Sequence, residues 1–335
     1  MENKKEFTYT DGAAIYLLAI FADLGVQVLV AIIFGVVGLE YLELDWVNIL
    51  VSSALQVAFI LCIFLYCRSK KTAPDLGFKK THPANYALAA AVAVISLVCF
   101  YCAAVAFDLL LQVTGYESST ALEFTSVPAK VIGVIATCIA APIGEELIFR
   151  GALLSGLKKN FKAPVAVLLS GLAFSLMHMN PEQTVYQFLL GCALAYMALE
   201  TGSVIPAMIG HSVSNLIAIL MELVAPFGNA VNVAFDFLLE MPWLFVVLTI
   251  VLLLAGGVAI FFTGRFMGKL GGKKQERNFT ALPPDESEKS DDAETSLLKK
   301  PMFGAKALLI TGMVICAVLW VVMLIIGYVD LEGLM

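Results

Sequence analysis

The sequence predicts an all-α fold, a polytopic bundle of about nine membrane-spanning helices, and three observations carry the prediction. Hydrophobic residues make up 60% of the 335-residue chain and charged residues only 14%, against about 25% charged in soluble domains. Mean hydropathy is +0.89. Apolar runs close to the roughly 20 residues a helix needs to cross a bilayer recur along the chain, and Lys and Arg fall in alternate connections between them. The net charge of −6 comes without a basic patch or an aromatic RNA-binding motif, so nucleic acid is not an expected partner. The seven cysteines sit in or beside apolar runs, and no second CxxC accompanies Cys99-x-x-Cys102 to make a set with metal spacing. They read as small hydrophobes rather than a disulfide or metal framework.

Taken in order, the runs are 13–38, 46–67 and 84–113, then 128–156, 163–180, 183–200 and 204–224, and finally 243–264 and 305–328. The N-terminal "MENKKEFTYTDG" mixes acids with bases, and the run after it is too long for a signal peptide, so it reads as a retained first span. Asn180-Pro181, Thr201-Gly202 and Pro242 break the later runs. Residues 1–126 thus hold spans one to three, 127–224 a central core, and 225–265 the eighth span. Segment 266–303 is rich in Gly, Pro and charge without apolar periodicity, and reads as a flexible cytoplasmic linker. It sets an eight-helix body apart from a ninth span within 304–335.

Bases fix the expected orientation. Lys4 and Lys5 precede the first span, Arg68, Lys70, Lys71, Lys79 and Lys80 follow the second, and Lys158, Lys159 and Lys162 follow the fourth. The connections near 39–45, 115–126 and 225–242 carry none. The alternation predicts an integral multi-pass protein, N-terminus inside and C-terminus outside; the membrane expected is a bacterial plasma membrane.

Ionisable residues deep in the runs are few, and in hydrocarbon such groups are functional candidates by default. Three pieces stand out: Glu145-Glu146-x-x-x-Arg150, Phe174-x-x-x-His178 and His211-x-x-x-Asn215. Glu146 and Arg150 are i,i+4 and share a helix face, so they can neutralise each other. Glu145 is rotated about 100° from Glu146 and looks elsewhere. A rise of about 1.5 Å per residue places Glu145 about 20 Å and His178 about 26 Å from the 158–161 turn. His211 and Asn215 fall about 12 and 18 Å past the 201–203 turn. These depths overlap, so the groups can converge within the bilayer. Asp23 and Gln27, one turn apart, read as a helix–helix hydrogen-bond site.

The ordered trio, each piece on its own membrane helix, resembles the CPBP family of CAAX proteases and bacteriocin-processing enzymes. These are the type II CAAX prenyl endopeptidases and bacterial relatives also called Abi proteins. The resemblance covers about residues 127–222, and every motif matches without a departure. It implies an intramembrane endopeptidase with Glu145 as general base and His178 polarising the attacking water. His211 and Asn215 would donate to the oxyanion, with Glu146, Arg150 and Phe174 in support. The implied partners are membrane lipid and a peptide or protein substrate, with or without a lipid modification.

No cofactor follows from the residues. A competing mechanism would hold Zn²⁺ on Glu145, His178 and His211 with an open site for water. The sequence lacks HExxH, and Asn215 is a better oxyanion donor than zinc ligand. Two other classes stay open at this level. One is a non-proteolytic scaffold or immunity-type protein that retains the protease fold. The other is an ion-coupled transporter, although no repeated halves are evident.

Overall fold

The computed structural model describes residues 5–37, 45–116, 127–271 and 295–328. Among them it forms ten helices and no strand. We number them α1 (Tyr9–Val37), α2 (Asp45–Lys70), α3 (Ala84–Val113), α4 (127–160), α5 (Ala163–Met177), α6 (Thr184–Thr201), α7 (Ile205–Leu223), α8 (Ala225–Leu239), α9 (Pro242–Leu270) and α10 (Thr295–Ile326). Seven are long and apolar enough to cross a membrane: α1, α2, α3, α4, α7, α9 and α10. The chain is an integral, multi-pass membrane protein. Its outer face is correspondingly apolar, with residues such as Phe21, Phe64 and Phe262 more than half exposed, as lipid-facing side chains should be. All seven cysteines are free.

Four departures from the sequence reading have physical causes. First, α4 is not one regular helix. Two π-helical stretches, Ala136–Ala140 and Leu147–Leu153, interrupt it. Such wide turns insert an extra residue per turn and recur at functional sites. Second, α5 has only 15 residues, about 22 Å of helix and less than a hydrocarbon core. It stops at His178 because Asn180 precedes a proline and cannot continue the helix. The Asn180 carboxamide oxygen instead accepts from the Glu182 N–H at 3.0 Å, and Met179 takes φ +51°.

Third, the segment read as a plain connection at 225–242 is the helix α8. It starts at Ala225-Pro226, where proline suits a first turn. It is too short to span, and packs on α7 and α9. Phe235 seats its ring edge-on to Tyr101 and Phe245. Fourth, helix continues to Leu270 in α9 and resumes at Thr295 in α10, inside the span read as linker. The rest of that linker, 272–294, lies outside the described residues, as do most of the base-free connections near 39–45 and 115–126.

The ninth span is not a bystander. Helix α10 packs along α1 and also touches α5. Its Trp320 indole N–H donates to Thr184 Oγ1 at 2.7 Å, and Cys316 sits 3.8 Å from the Tyr16 hydroxyl. A methyl group on Gly312 would approach Tyr16 Cε1 to 2.9 Å, so this glycine sets how closely α10 and α1 approach. Gly312→Val is expected to lower the melting temperature by about 2–10 °C through overpacking, measured by thermal unfolding in detergent.

One end of the bundle is tied together by polar contacts. Lys159 pairs with Glu6 at 2.9 Å and Asp75 at 3.1 Å, and Lys158 reaches Asp75 at 3.4 Å. The Lys5 N–H donates to the Lys71 carbonyl, and the Val204 N–H to the Gly77 carbonyl. The basic segments that the sequence puts on one side of the membrane are thus neighbours. Tyr328 at the far end of α10 meets Thr114 and Tyr116 at the opposite end of α3.

Partial burial raises the Asp75 carboxyl, but the Lys159 and Lys158 ammonium groups outweigh that and hold it below the usual carboxylate value of 3.8. Its stabilising contribution is therefore present above 3.8 and lost as pH falls through the depressed folded value. Thermal melts of wild type and Asp75→Asn are expected to differ modestly at neutral pH and to converge below pH 3.8.

Candidate active site

The site is built on α4, where Glu145 and Glu146 end the segment Ala141–Glu146 and Arg150 follows in the second π-helical stretch. Gly144 faces α2 so closely that a Cβ there would collide with the Gln56 side chain. This contact holds the two glutamates against the bundle.

Arg150 is fully buried, with Nη1 donating to Glu146 Oε1 at 2.6 Å and Nη2 to the Gly191 carbonyl at 2.9 Å. Its guanidinium lies 4.4 Å from the Phe174 ring centroid, a cation–π contact that helps the buried charge. The Gly191 carbonyl is within reach because α5 and α6 meet glycine to glycine. A methyl group on Gly191 would sit 3.0 Å from both Gly171 Cα and Phe174 Cδ1.

Glu146 has a second partner. His211 Nδ1 lies 3.0 Å from the same Oε1 that Arg150 engages. A carboxylate can only accept, so Nδ1 carries the proton and Nε2 is the free ring nitrogen. Nε2 points toward Glu145, 3.9 Å from Oε2. Glu145 Oε2 is buried and has no hydrogen-bond donor among the described residues.

His178 caps the end of α5. Its Nδ1 lies 2.8 Å from the Phe174 carbonyl, which again assigns the proton to Nδ1 and leaves Nε2 as an acceptor. Phe174 is the hub of the arrangement. Its ring packs edge-on to His178 at 4.7 Å, His211 at 5.5 Å and Phe149 at 5.1 Å.

Glu145 and His178 share the wall of a cavity of about 480 Å³. Glu146, Arg150 and His211 lie behind that wall, and Phe174 between. Asn215 is not on it. Its Nδ2 donates to the Thr137 carbonyl at 2.9 Å, in the first π-helical stretch. The fold therefore brings six of the seven predicted residues into one connected group, and ties Asn215 to its edge.

The cavity also has walls that the sequence reading did not assign. Asp23 and Gln27 of α1 line it, as do Leu319, Val322 and Met323 of α10. Asp23 and Gln27 do not bridge two helices as expected. Gln27 Nε2 donates to Asp23 Oδ1 at 3.0 Å within α1. Their i,i+4 spacing was the available signal; only packing shows where that face points.

The zinc alternative needs Glu145, His178 and His211 on one ion. Among the described residues no three His, Cys, Asp or Glu side chains converge as a metal site. Both histidines place Nδ1 against a protein acceptor and leave Nε2 available, as metal-bound and metal-free histidines both do.

Comparison with curated proteins and with solved structures found no match. A scan against protein families gave one: residues 127–217 match the family described as type II CAAX prenyl endopeptidase Rce1-like. The matched stretch runs from α4 into α7 and includes all three motifs, Glu145 through Asn215. Residues 127–217, the stretch that carries the three motifs, are accordingly similar to the Rce1-like type II CAAX prenyl endopeptidases.

Proposed function

We propose that the protein is an intramembrane endopeptidase that hydrolyses a peptide bond with a water activated by Glu145 and His178. The observation that carries this reading is their placement on one cavity wall, each with an acceptor atom that no donor among the described residues occupies. A water between them can donate one O–H to the Glu145 carboxylate and the other to His178 Nε2. Its lone pairs then face a substrate carbonyl. Glu145 takes a proton as the oxygen attacks and returns it to the leaving amine, so the site ends as it began.

The supporting residues act on orientation. Glu146 accepts from His211 Nδ1 and so holds the imidazole beside Glu145, while Arg150 balances the Glu146 charge. Nε2 of His211 donates to an oxyanion only in the protonated ring; in the neutral ring it accepts. Asn215 spends one amide N–H on Thr137 and does not line the cavity, so its second N–H serves an oxyanion in this reading only if bound substrate opens the wall toward it. This reading puts the end of the bundle that gathers Lys71, Lys158 and Lys159 on the cytoplasmic side, following the positive-inside rule, and takes the membrane to be a bacterial plasma membrane. The substrate is a peptide or membrane protein, with or without a lipid.

The test compares membrane proteomes of cells carrying wild-type or Glu145→Gln protein. New protein termini that appear only with wild type are the expected result. Identical terminal profiles would overturn the reading. On the metal-free form of this reading, exhaustive chelation of the purified protein is expected to leave cleavage within about twofold of untreated enzyme. A loss of about 10²-fold or more, the scale of one catalytic group, restored by Zn²⁺, would reverse that expectation.

A further inference from the structure

His178 stands one residue past the end of α5, where helices fray. Its Nδ1 bonds back to the Phe174 carbonyl in its own last turn, so the place of the imidazole depends on how the turn after it is held. Much of that hold is local. The Ser175 hydroxyl donates to the Thr184 carbonyl at 2.7 Å, the Thr184 hydroxyl to the Asn180 carbonyl at 3.1 Å, and the Glu182 N–H to the Asn180 carboxamide oxygen at 3.0 Å. Each of these bonds begins and ends within residues 175–184. A bond from another helix joins them: the Trp320 indole N–H of α10 donates to Thr184 Oγ1 at 2.7 Å. The same hydroxyl thus accepts from α10 and donates to Asn180, and each bond in such a chain polarises the next.

Helix α10 is itself anchored. Gly312 packs against Tyr16 and Ile20 of α1. Leu319, Val322 and Met323, which flank Trp320 in sequence, line the cavity together with His178, Asn180 and Pro181 of the turn. Helix α10 therefore bridges two walls of the cavity, α1 on one side and the His178 turn on the other. It lies outside the matched stretch 127–217.

We infer that Trp320 is a positioning residue for His178, so that the last helix holds the active-site turn from outside the family-matched stretch. This rests on the endopeptidase reading for what His178 does, but not for how it is held. A misplacement of about 1 Å can cost a catalytic group much of its effect, and a helix end tied only to itself samples more than one placement. A tryptophan near the end of a span is commonly an interfacial anchor whose N–H faces lipid headgroups. Here that N–H is spent on Thr184.

The experiment uses the full-length protein in lipid nanodiscs and two readouts. Hydrogen–deuterium exchange of residues 178–184, followed by mass spectrometry, needs no substrate. Steady-state cleavage of a peptide from the cellular comparison separates kcat from KM. Trp320→Phe keeps an apolar ring and removes the N–H. It is expected to speed exchange in the turn about 3–10-fold and to lower kcat by about 3–10-fold with KM within about twofold, the scale of one lost hydrogen bond. Thr184→Val should do at least as much from the other end. Adding Trp320→Phe to it should cost nothing further, and Thr184→Ser, which restores the hydroxyl, should recover to within about twofold of wild type. Should Trp320→Phe fail to give a folded protein, Thr184→Val against Thr184→Ser carries the test.

Exchange and kcat both as in wild type in folded Trp320→Phe would overturn the inference, reduce Trp320 to an interfacial anchor and leave the endopeptidase reading standing. A change in only one of the two readouts in an enzyme that cleaves, or losses that simply add in the double variant, would also overturn it. A turn loosened by Trp320→Phe in a protein whose wild type cleaves nothing would count against the endopeptidase reading and support the hold of α10 on His178.

Discussion

Glu145→Gln in the purified protein is expected to lower kcat by about 10²–10⁴-fold, the range of a lost general base, with no loss of melting temperature. The geometry predicts the two halves of this result separately. Glu145 Oε2 has no hydrogen-bond donor among the described residues, and its side chain remains 17% exposed. No described hydrogen bond to that oxygen is lost when it becomes an amide, so stability should hold or rise. His178→Asn should give a similar loss, since it removes the Nε2 acceptor on the same wall. The check is single-turnover cleavage of a peptide identified from the cellular experiment, with thermal unfolding as the fold control. Near wild-type turnover in folded Glu145→Gln would exclude the base role and leave the scaffold reading in its place.

The second large effect concerns stability. Arg150→Met leaves Glu146 fully buried without its cation and is expected to cost about 3–5 kcal/mol, as when one partner of a buried ion pair is removed. The Gly191 carbonyl also loses its donor. Poor recovery from the membrane or a sharply lower melting temperature is the expected readout. The double variant Glu146→Gln/Arg150→Met should regain part of the loss, because no unpaired charge remains. An Arg150→Met protein that melts like wild type would show the pair to be dispensable, and His211 would need another source of orientation.

These two predictions separate the adjacent glutamates. By spacing alone, Glu146 and Arg150 were a self-cancelling pair and Glu145 the functional ion. The structure shows the Glu146–Arg150 pair and enlarges Glu146, whose Oε1 serves Arg150 and His211 together; the role of Glu145 is what the first prediction tests. A pairing 65 residues apart in sequence has no local signature. The motif trio told which side chains were exceptional, because an ionised group in a long apolar run needs a reason to be there. The depth estimate correctly let them converge, yet His178 does so from a helix end. Asn180-Pro181 was visible as a breaker, but not as the device that makes α5 short enough to deliver His178 to the cavity.

Elsewhere the sequence reading was weakest where apolar pattern is silent about neighbours. Segment 225–242 has no bases, which fits either a loop or a short helix; packing of Phe235 between Tyr101 and Phe245 goes with the helix. The ninth span looked detached because a polar linker precedes it. Its contact with α1 depends on Gly312 against Tyr16, a fit between surfaces about 300 residues apart in the chain.

The sequence by itself determined the membrane setting and the helical class, and it singled out the candidate residues that the structure gathers. Composition, run length and buried charge are local properties written directly in residue types. Tertiary structure decided which faces meet: that His211 leans on Glu146, that Asn215 is tied to Thr137, and that Asp23 shares a cavity with Glu145 and His178. Helices in lipid are apolar nearly all round, so periodicity marks no inward face. Close packing of small residues and hydrogen bonds between helices choose it instead.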